Sequence, residues 1–149
     1  MNHMERIKCV LLVDDDHSAN FITKTVISKL NCSEEIVIAL NGREALEILA
    51  ERCQGDSGKP CPQLILLDVK MPVMDGFEFL KNFELLPLAP ERRPVVIMLS
   101  TSTNPKDLQL AQTFKIGEFI TKPLKADQME RLLDKYFKLD EESTLQECS

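Results

Sequence analysis

Three carboxylates, one hydroxyl and one amine stand at the ends of apolar runs in this sequence. In chain order they are Asp14, Asp15, Asp68, Ser100 and Lys122. Three carboxylates held close together repel one another, and a divalent cation relieves that repulsion. Mg²⁺ prefers hard oxygen ligands of this kind, and Mn²⁺ accepts the same set. These residue types therefore predict a magnesium site with a lysine beside it.

Asp68 is the candidate reactive group, because an aspartate carboxylate can act as a covalent nucleophile toward phosphorus. With Mg²⁺ bound, the charges of three carboxylates and one lysine cancel, so an incoming phosphoryl group is not repelled. Phosphoryl transfer needs mainly positioning and positive charge on the equatorial oxygens, which Mg²⁺ and Lys122 would supply. The Ser100 hydroxyl would donate to another of those oxygens. The set can therefore hold an aspartyl phosphate.

Continuous apolar runs predict the strands that position these residues. The run at 64–67 is apolar at every position and ends in Asp68, as expected for a strand buried on both faces of a sheet. Similar runs predict further strands at 8–13, 35–39, 95–99 and 117–121. Apolar residues repeated every three or four positions predict helices between the strands, at about 18–30, 42–49, 76–83, 104–114 and 125–137.

Five strands that alternate with five helices predict an α/β fold with a parallel, doubly wound sheet and right-handed crossovers. The order of the strands cannot be read from their spacing. In such a sheet the carboxyl ends of the strands form one rim, where ligands bind. All five candidate residues follow strands, so the fold would bring them together at that rim.

Helix starts and loops have weaker signals. Ser18 is the expected N-cap of the first helix, and Asp16 is expected to add only a charge that the helix dipole favours. Asp75 is expected to start the helix that follows Asp68. The segment 54–63 is rich in Gly, Pro and polar residues and predicts a surface loop.

Length and charge limit the classes of protein. The 149 residues suit one domain over 1–149, with a core at about 7–138 and a polar tail at 139–149. Lys and Arg number 18 against 24 Asp and Glu, and the net charge of -6 gives no general attraction to nucleic acid or an anionic membrane. Neither a membrane-spanning run nor a signal peptide is evident, so a cytoplasmic protein is expected.

The five cysteines are irregularly spaced and contain no Cys-x-x-Cys pair. This pattern argues against a disulfide framework and against a zinc site. Cys9 heads an apolar strand and is expected to be a small core residue.

Four short motifs resemble the signatures of the response-regulator receiver domain. They are VDDD at 13–16, LDVKMPVMDG at 67–76, MLS at 98–100 and TKPL at 121–124. All four occur in order, and the resemblance spans about residues 7–138. It implies the flavodoxin-like strand order 2-1-3-4-5. It also implies that Asp68 takes a phosphoryl group from a histidine kinase or a histidine phosphotransfer protein.

The resemblance also assigns roles to individual residues. Asp15 would bind Mg²⁺ directly, Asp14 would act mostly through water, and the backbone carbonyl of Lys70 would be a further ligand. Ser100 would be the switch hydroxyl, Phe119 the switch aromatic and Lys122 the phosphate-binding lysine. Pro123 would follow a cis peptide bond. The sequence departs from the usual pattern at two positions, where it has the cation of Lys70 and the larger side chain of Thr101.

Simpler interpretations stay open for single residues. Asp68 alone could cap the next turn, Lys122 could be a solvated lysine, Phe119 could be core, and His17 beside a helix start is most simply a surface residue. The five candidates taken together favour the phosphoryl site.

Three functions follow from this pattern. The first is a stand-alone receiver whose phosphorylation alters its affinity for an unknown partner or makes a dimer through residues 104–137; an end at Ser149 leaves no room for an output domain. The second is a Mg²⁺-dependent phosphatase of the haloacid-dehalogenase type, although 14–17 lacks the Asp-x-Asp-Gly-Thr motif of that class. The third is a degenerate binding module that never carries phosphate.

Overall fold

The computed structural model describes residues 6–54, 57–101 and 104–137. Its five parallel strands are β1 (Val10–Val13), β2 (Ile36–Ala39), β3 (Leu64–Asp68), β4 (Val95–Ser100) and β5 (Glu118–Thr121). Its five α-helices are α1 (His17–Leu30), α2 (Gly42–Leu49), α3 (Gly76–Glu84), α4 (Pro105–Ala111) and α5 (Ala126–Phe137). The strand order is β2-β1-β3-β4-β5. The predicted doubly wound α/β fold and the 2-1-3-4-5 order are confirmed.

The sheet separates two apolar layers, because alternate residues of a strand face opposite sides. In β1 and β3, Leu11 and Leu67 pack with the buried residues of α2 and α3, whereas Leu12 and Leu66 pack with those of α1 and α5. All four leucines are almost completely buried. Burial of each such side chain contributes about 2 kcal/mol to folding. The two central strands therefore hold both layers together and fix the rim at which they end.

The helix starts correct one prediction and confirm another. Asp16, not Ser18, is the N-cap of α1, and its carboxylate accepts hydrogen bonds from the backbone N–H groups of Ser18 and Ala19 at 2.9 and 3.4 Å. An aspartate one residue before the helix reaches these free N–H groups, which Ser18 inside the helix cannot do. Asp75 caps α3 as predicted and forms a capping box with Glu78.

The fourth helix is shorter than its apolar spacing predicts. It ends at Ala111, so Phe114 lies beyond its last turn. The Phe114 ring still packs against Phe77 of α3, with 6.3 Å between the ring centroids. The half-buried side chain of Phe114 therefore joins the apolar layer, although the predicted helix does not extend to it.

The prediction about the cysteines is wrong for one pair. Cys53 and Cys61 form a disulfide, with their Cα atoms 4.7 Å apart. Cys53 lies in a π-helical turn, Ala50–Gln54, that continues α2, and Cys61 lies on the segment leading into β3. Their separation of eight residues gives no sign of this contact. Cys9 is a fully buried core residue, as predicted. Cys148 and the predicted tail lie outside the described residues.

We predict that Gly76→Ala lowers the free energy of unfolding by about 2–3 kcal/mol, the usual cost of overpacking. A Cβ at this position would lie 2.4 Å from the backbone oxygen of Asp68, which cannot move without distorting β3. Gly58→Ala is the control, since its surroundings are open and only its φ of +79° opposes a side chain; about 1 kcal/mol is expected there. Urea unfolding measures both, and equal losses in the two variants would contradict the prediction.

Candidate functional site

The two aspartates after β1 have different surroundings. The backbone N–H of Asp14 donates to the oxygen of Ala39 at 3.0 Å, which extends the pairing of β1 with β2. Asp14 is buried, whereas Asp15 is exposed. One carboxylate oxygen of Asp14 accepts a hydrogen bond from the backbone N–H of Asp16 at 2.9 Å. Asp14 is therefore held rigidly, and Asp15 remains accessible.

Asp68 is the last residue of β3 and its side chain is only 13% exposed. Burial raises the pKa of its carboxyl group above the ordinary value, and the negative charge of Asp14 raises it further. The positive charge of Lys122 acts in the opposite direction without cancelling this shift. The carboxylate form of Asp68 thus depends on nearby positive charge.

Lys122 supplies such charge from the end of β5. Its Nζ lies 2.5 Å from an oxygen of Asp14 and 3.1 Å from an oxygen of Asp68. Burial alone would lower the pKa of Lys122, but hydrogen bonding to Asp14 and the two carboxylate charges outweigh it and raise the pKa. The backbone N–H of Lys122 donates to the oxygen of Ser100 at 2.8 Å, and its peptide bond to Pro123 is cis. The ammonium group is therefore fixed between the two acids.

The acidic residues fit a hard divalent cation. Asp14, Asp15 and Asp68 each offer a carboxylate oxygen, and these oxygens all lie within 4.8 Å of one another. Mg²⁺ is bound in proteins by one or two carboxylates and several waters, so these three residues can hold it without rearrangement of the backbone. Among the residues that the structure describes, these three aspartates are the one group of three or more side chains placed to bind a metal ion.

The carboxylates open into a cleft of about 520 Å³ at the carboxyl edge of the sheet. Residues from four of the five strand ends line it: Asp14, Asp15, Asp16, Asp68, Lys70, Ser100, Thr101 and Lys122. Ser100 is buried at the end of β4, and Lys70 is exposed at the rim. The cleft is thus large enough for a phosphoryl group and its waters, and carboxylate, hydroxyl and ammonium groups surround it.

Comparison with known proteins shows the family to which this chain belongs. The sequence profile described as "Response regulator receiver domain" matches residues 10–134. The chain belongs to the response regulator receiver domain family. Receiver domains are phosphoacceptor signalling proteins of two-component systems; they are phosphorylated by histidine kinases and typically bind Mg²⁺ at an acidic pocket.

Individual relatives of this receiver domain agree with the family match. It is 29% identical over 128 residues to a probable methanogenesis regulatory protein, FilR2, of Methanothrix harundinacea, which covers 84% of this chain and 78% of FilR2. A crystal structure of a two-component response regulator from Cytophaga hutchinsonii is 30% identical, with a TM-score of 0.78, and the match covers 89% of this chain and 98% of that one. The phosphorylated cyanobacterial phytochrome response regulator RcpA is 27% identical, with a TM-score of 0.67 and coverage of 85% and 89%.

The structure brings together every side chain that the sequence placed at the receiver's rim, namely Asp14, Asp15, Asp68, Ser100 and Lys122. Phe119 lies earlier on β5 than the rim, where it pairs in register with Met98 of β4. Its ring is half-buried and packs against the apolar layer on the α2 and α3 side of the sheet. Phe119 is therefore not a wall of the cleft.

Asn20 is a part of the receiver's site that the sequence analysis missed. It lies on α1, is 4% exposed, and donates from Nδ2 to the backbone oxygen of Asp14 at 2.9 Å. Asn20 follows Asp16 by four residues, so it shares a helix face with the cap and points toward the rim. The sequence signal that could have revealed Asn20 is a polar residue on the apolar face of a predicted helix. Asn20 positions the acidic pair through its backbone.

Within the described ranges, no helix combines the length and apolar character needed to cross a bilayer.

Proposed function

We propose that this protein is a stand-alone receiver that accepts a phosphoryl group on Asp68 in a Mg²⁺-dependent phosphorelay. The observation that carries the proposal is the position of Lys122, whose ammonium group contacts both Asp14 and Asp68. A cation held beside the acceptor carboxylate can stabilise the charge that develops on the phosphoryl oxygens. The single domain, the cytoplasmic location and the absence of an enzymatic turnover of its own belong to this proposal.

Each rim residue has a defined task in this proposal. Mg²⁺, or Mn²⁺ in its place, would be held by Asp14, Asp15, Asp68 and the backbone carbonyl of Lys70. The bound cation would stabilise negative charge on the phosphoryl oxygens. The Asp68 carboxylate would attack phosphorus, and Lys122 would turn from Asp14 toward the new phosphoryl group. Ser100 would donate its hydroxyl to a phosphoryl oxygen.

The same contacts would transmit the signal. Movement of Ser100 toward the phosphoryl group would leave space near β4, and the half-buried Phe119 of the neighbouring strand would turn inward. The face at 100–123 would then change its affinity for a downstream protein, as a shift between two populations. A dimer of the receiver would form through 104–137. The phosphoryl donor would be a histidine kinase or a histidine phosphotransfer protein.

Incubation with Mg²⁺ and acetyl phosphate, followed by intact mass measurement, tests the proposed function. We expect one phosphoryl group per chain, dependent on Mg²⁺ and lost spontaneously. Continuous hydrolysis of a general phosphate ester would instead support the haloacid-dehalogenase alternative. Failure to incorporate any phosphoryl group would support a degenerate binding module.

We predict that Asp15→Asn weakens Mg²⁺ binding by at least about tenfold, because it removes the charge of an accessible oxygen ligand. The attraction between one carboxylate charge and a bound Mg²⁺ contributes about 1.4 kcal/mol or more to the binding free energy. Titration calorimetry with Mg²⁺ measures the affinity directly. Asp134→Asn is the matched control, because it makes the same charge change on an exposed face of α5. Equal Mg²⁺ affinity in the two variants would show that Asp15 is not a ligand.

A further inference from the structure

A second groove lies at the opposite, amino-terminal edge of the sheet. It has a volume of about 350 Å³ and lies beside Gln63 before β3, Val95 at the start of β4 and Phe137 at the end of α5. Pockets for small molecules begin at about this size, and a ligand no larger than a tripeptide would fill it.

The walls of this groove carry more positive than negative charge. Lys8, Arg92 and Arg93 line it, against the carboxylate of Glu91. Glu34 pairs with Lys8 at 3.5 Å, so one positive charge remains in excess. The chain as a whole has a net charge of -6, so this local positive charge contrasts with the remaining surface. A cationic concave surface concentrates small anions and favours their approach.

A disulfide sulfur stands in the wall of the groove. Cys61 lines the groove, is half-buried, and has its Sγ 3.6 Å from the backbone oxygen of Arg92. Its partner Cys53 is 3% exposed and belongs to the apolar layer, against which Cys61 also packs. Only Cys61 of the pair lines the groove, so its sulfur is the more accessible of the two to a nucleophile that enters there.

Contacts other than the disulfide hold this part of the chain in place. The guanidinium group of Arg52 makes two hydrogen bonds to the Glu35 carboxylate, at 2.8 and 2.9 Å, and one to the oxygen of Pro60 at 3.3 Å. Pro60 directly precedes Cys61, so these bonds anchor the wall of the groove independently of the S–S bond. The groove would survive opening of the disulfide.

We propose that this groove is a reaction site for a small anionic thiol, which forms a mixed disulfide with Cys61. The thiolate of the small molecule attacks Sγ of Cys61, and a new S–S bond forms as the Cys53–Cys61 bond breaks. Cys53 leaves as a thiolate and takes a proton from water. The existing disulfide supplies the oxidising equivalents, so no other oxidant is needed. Attack by the Cys53 thiolate on the mixed disulfide reverses the reaction and releases the small thiol.

The two free cysteines among the described residues do not compete for this reaction. Cys9 and Cys32 are both buried. Burial raises the pKa of the Cys9 thiol to about 11 and also raises the pKa of Cys32. Thiols that are protonated and inaccessible react slowly, because the thiolate is the reactive form.

Reaction of the full chain, purified without reductant, with glutathione and with neutral 2-mercaptoethanol tests the proposal. Rates are compared per thiolate, and peptide mass mapping locates the adduct. We expect glutathione to add to Cys61, and we expect Arg92→Gln to slow its reaction on the order of fivefold through loss of local charge. The rate of Arg92→Gln with 2-mercaptoethanol should equal that of the wild type. Added salt should reduce the difference in glutathione rate between the wild type and Arg92→Gln.

Arg43→Gln is the matched control, since Arg43 is also exposed but lies on α2, away from this groove. Its rates with both thiols should equal those of the wild type. Four results would overturn the proposal: free thiols at both Cys53 and Cys61 in the purified protein, an adduct on Cys53, equal effects of Arg92→Gln on both thiols, or Cys148 joined to Cys61 in place of glutathione.

Discussion

Asp68→Asn should abolish phosphoryl incorporation from acetyl phosphate while the fold remains intact. An amide has no carboxylate oxygen with which to attack phosphorus, and no other side chain of the cleft occupies the end of β3. Intact mass spectrometry measures the incorporated group, and circular dichroism checks the fold. Asp75→Asn is the control, because it makes the same chemical change at a helix cap where Asn serves equally well. Full incorporation in Asp68→Asn would rule out Asp68 as the acceptor.

The same variant should be more stable than the wild type at neutral pH without Mg²⁺. The pKa of Asp68 is raised by burial and by Asp14, so the folded chain binds a proton at this group more readily than the unfolded chain. The resulting stability is complete below the ordinary pKa of 3.8 and is lost as the pH rises through the raised value. The advantage of Asp68→Asn should therefore be present at pH 7 and vanish toward pH 4. Urea unfolding at several pH values, with a chelator present, measures this difference, and a difference that does not change between pH 4 and pH 7 would contradict the prediction.

Lys122→Met should slow phosphoryl incorporation by about 100-fold or more, the usual cost of removing a donor that stabilises transition-state charge. Methionine keeps most of the side-chain volume but leaves the phosphoryl oxygens without the ammonium group. Mg²⁺ should still bind, and not more weakly, because the cation that competes for Asp14 and Asp68 is gone. Stopped-flow incorporation kinetics and Mg²⁺ calorimetry together separate the two effects.

The matched control for this prediction is Lys125→Met, which removes an exposed lysine three residues further along the chain. It should leave both the rate and the Mg²⁺ affinity unchanged. A rate for Lys122→Met within a few-fold of this control would show that the ammonium group does not assist transfer.

Much of the fold could be predicted from the residues because buried strands and amphipathic helices have periodic patterns. The apolar run before Asp68 and those before Ser100 and Lys122 gave the strands whose ends form the rim. Their order came only from the resemblance to receiver domains, because spacing along the chain does not determine which strands pair. The residues of the site could be predicted because parallel strands end at one edge of the sheet, so polar residues that follow the strands must meet there.

The remaining features depend on contacts between distant or competing groups. Asp16 rather than Ser18 is the N-cap of α1, because the N-cap position is determined by where the first free backbone N–H groups of the helix point. The Cys53–Cys61 bond requires a loop to fold back on a π-helical turn, which no periodic pattern reveals. Asn20 was missed because a buried polar residue on a helix is recognised only once its acceptor, the backbone of Asp14, is known.

The most direct test is a crystal structure of the protein with Mg²⁺ and beryllium fluoride, which mimics a phosphoryl group on an aspartate. We predict one metal ion bound by Asp15, Asp68 and the backbone oxygen of Lys70. The beryllium fluoride should lie on Asp68, within hydrogen-bonding distance of Lys122 and Ser100. A metal bound elsewhere, or Lys122 turned away from the fluoride, would contradict it.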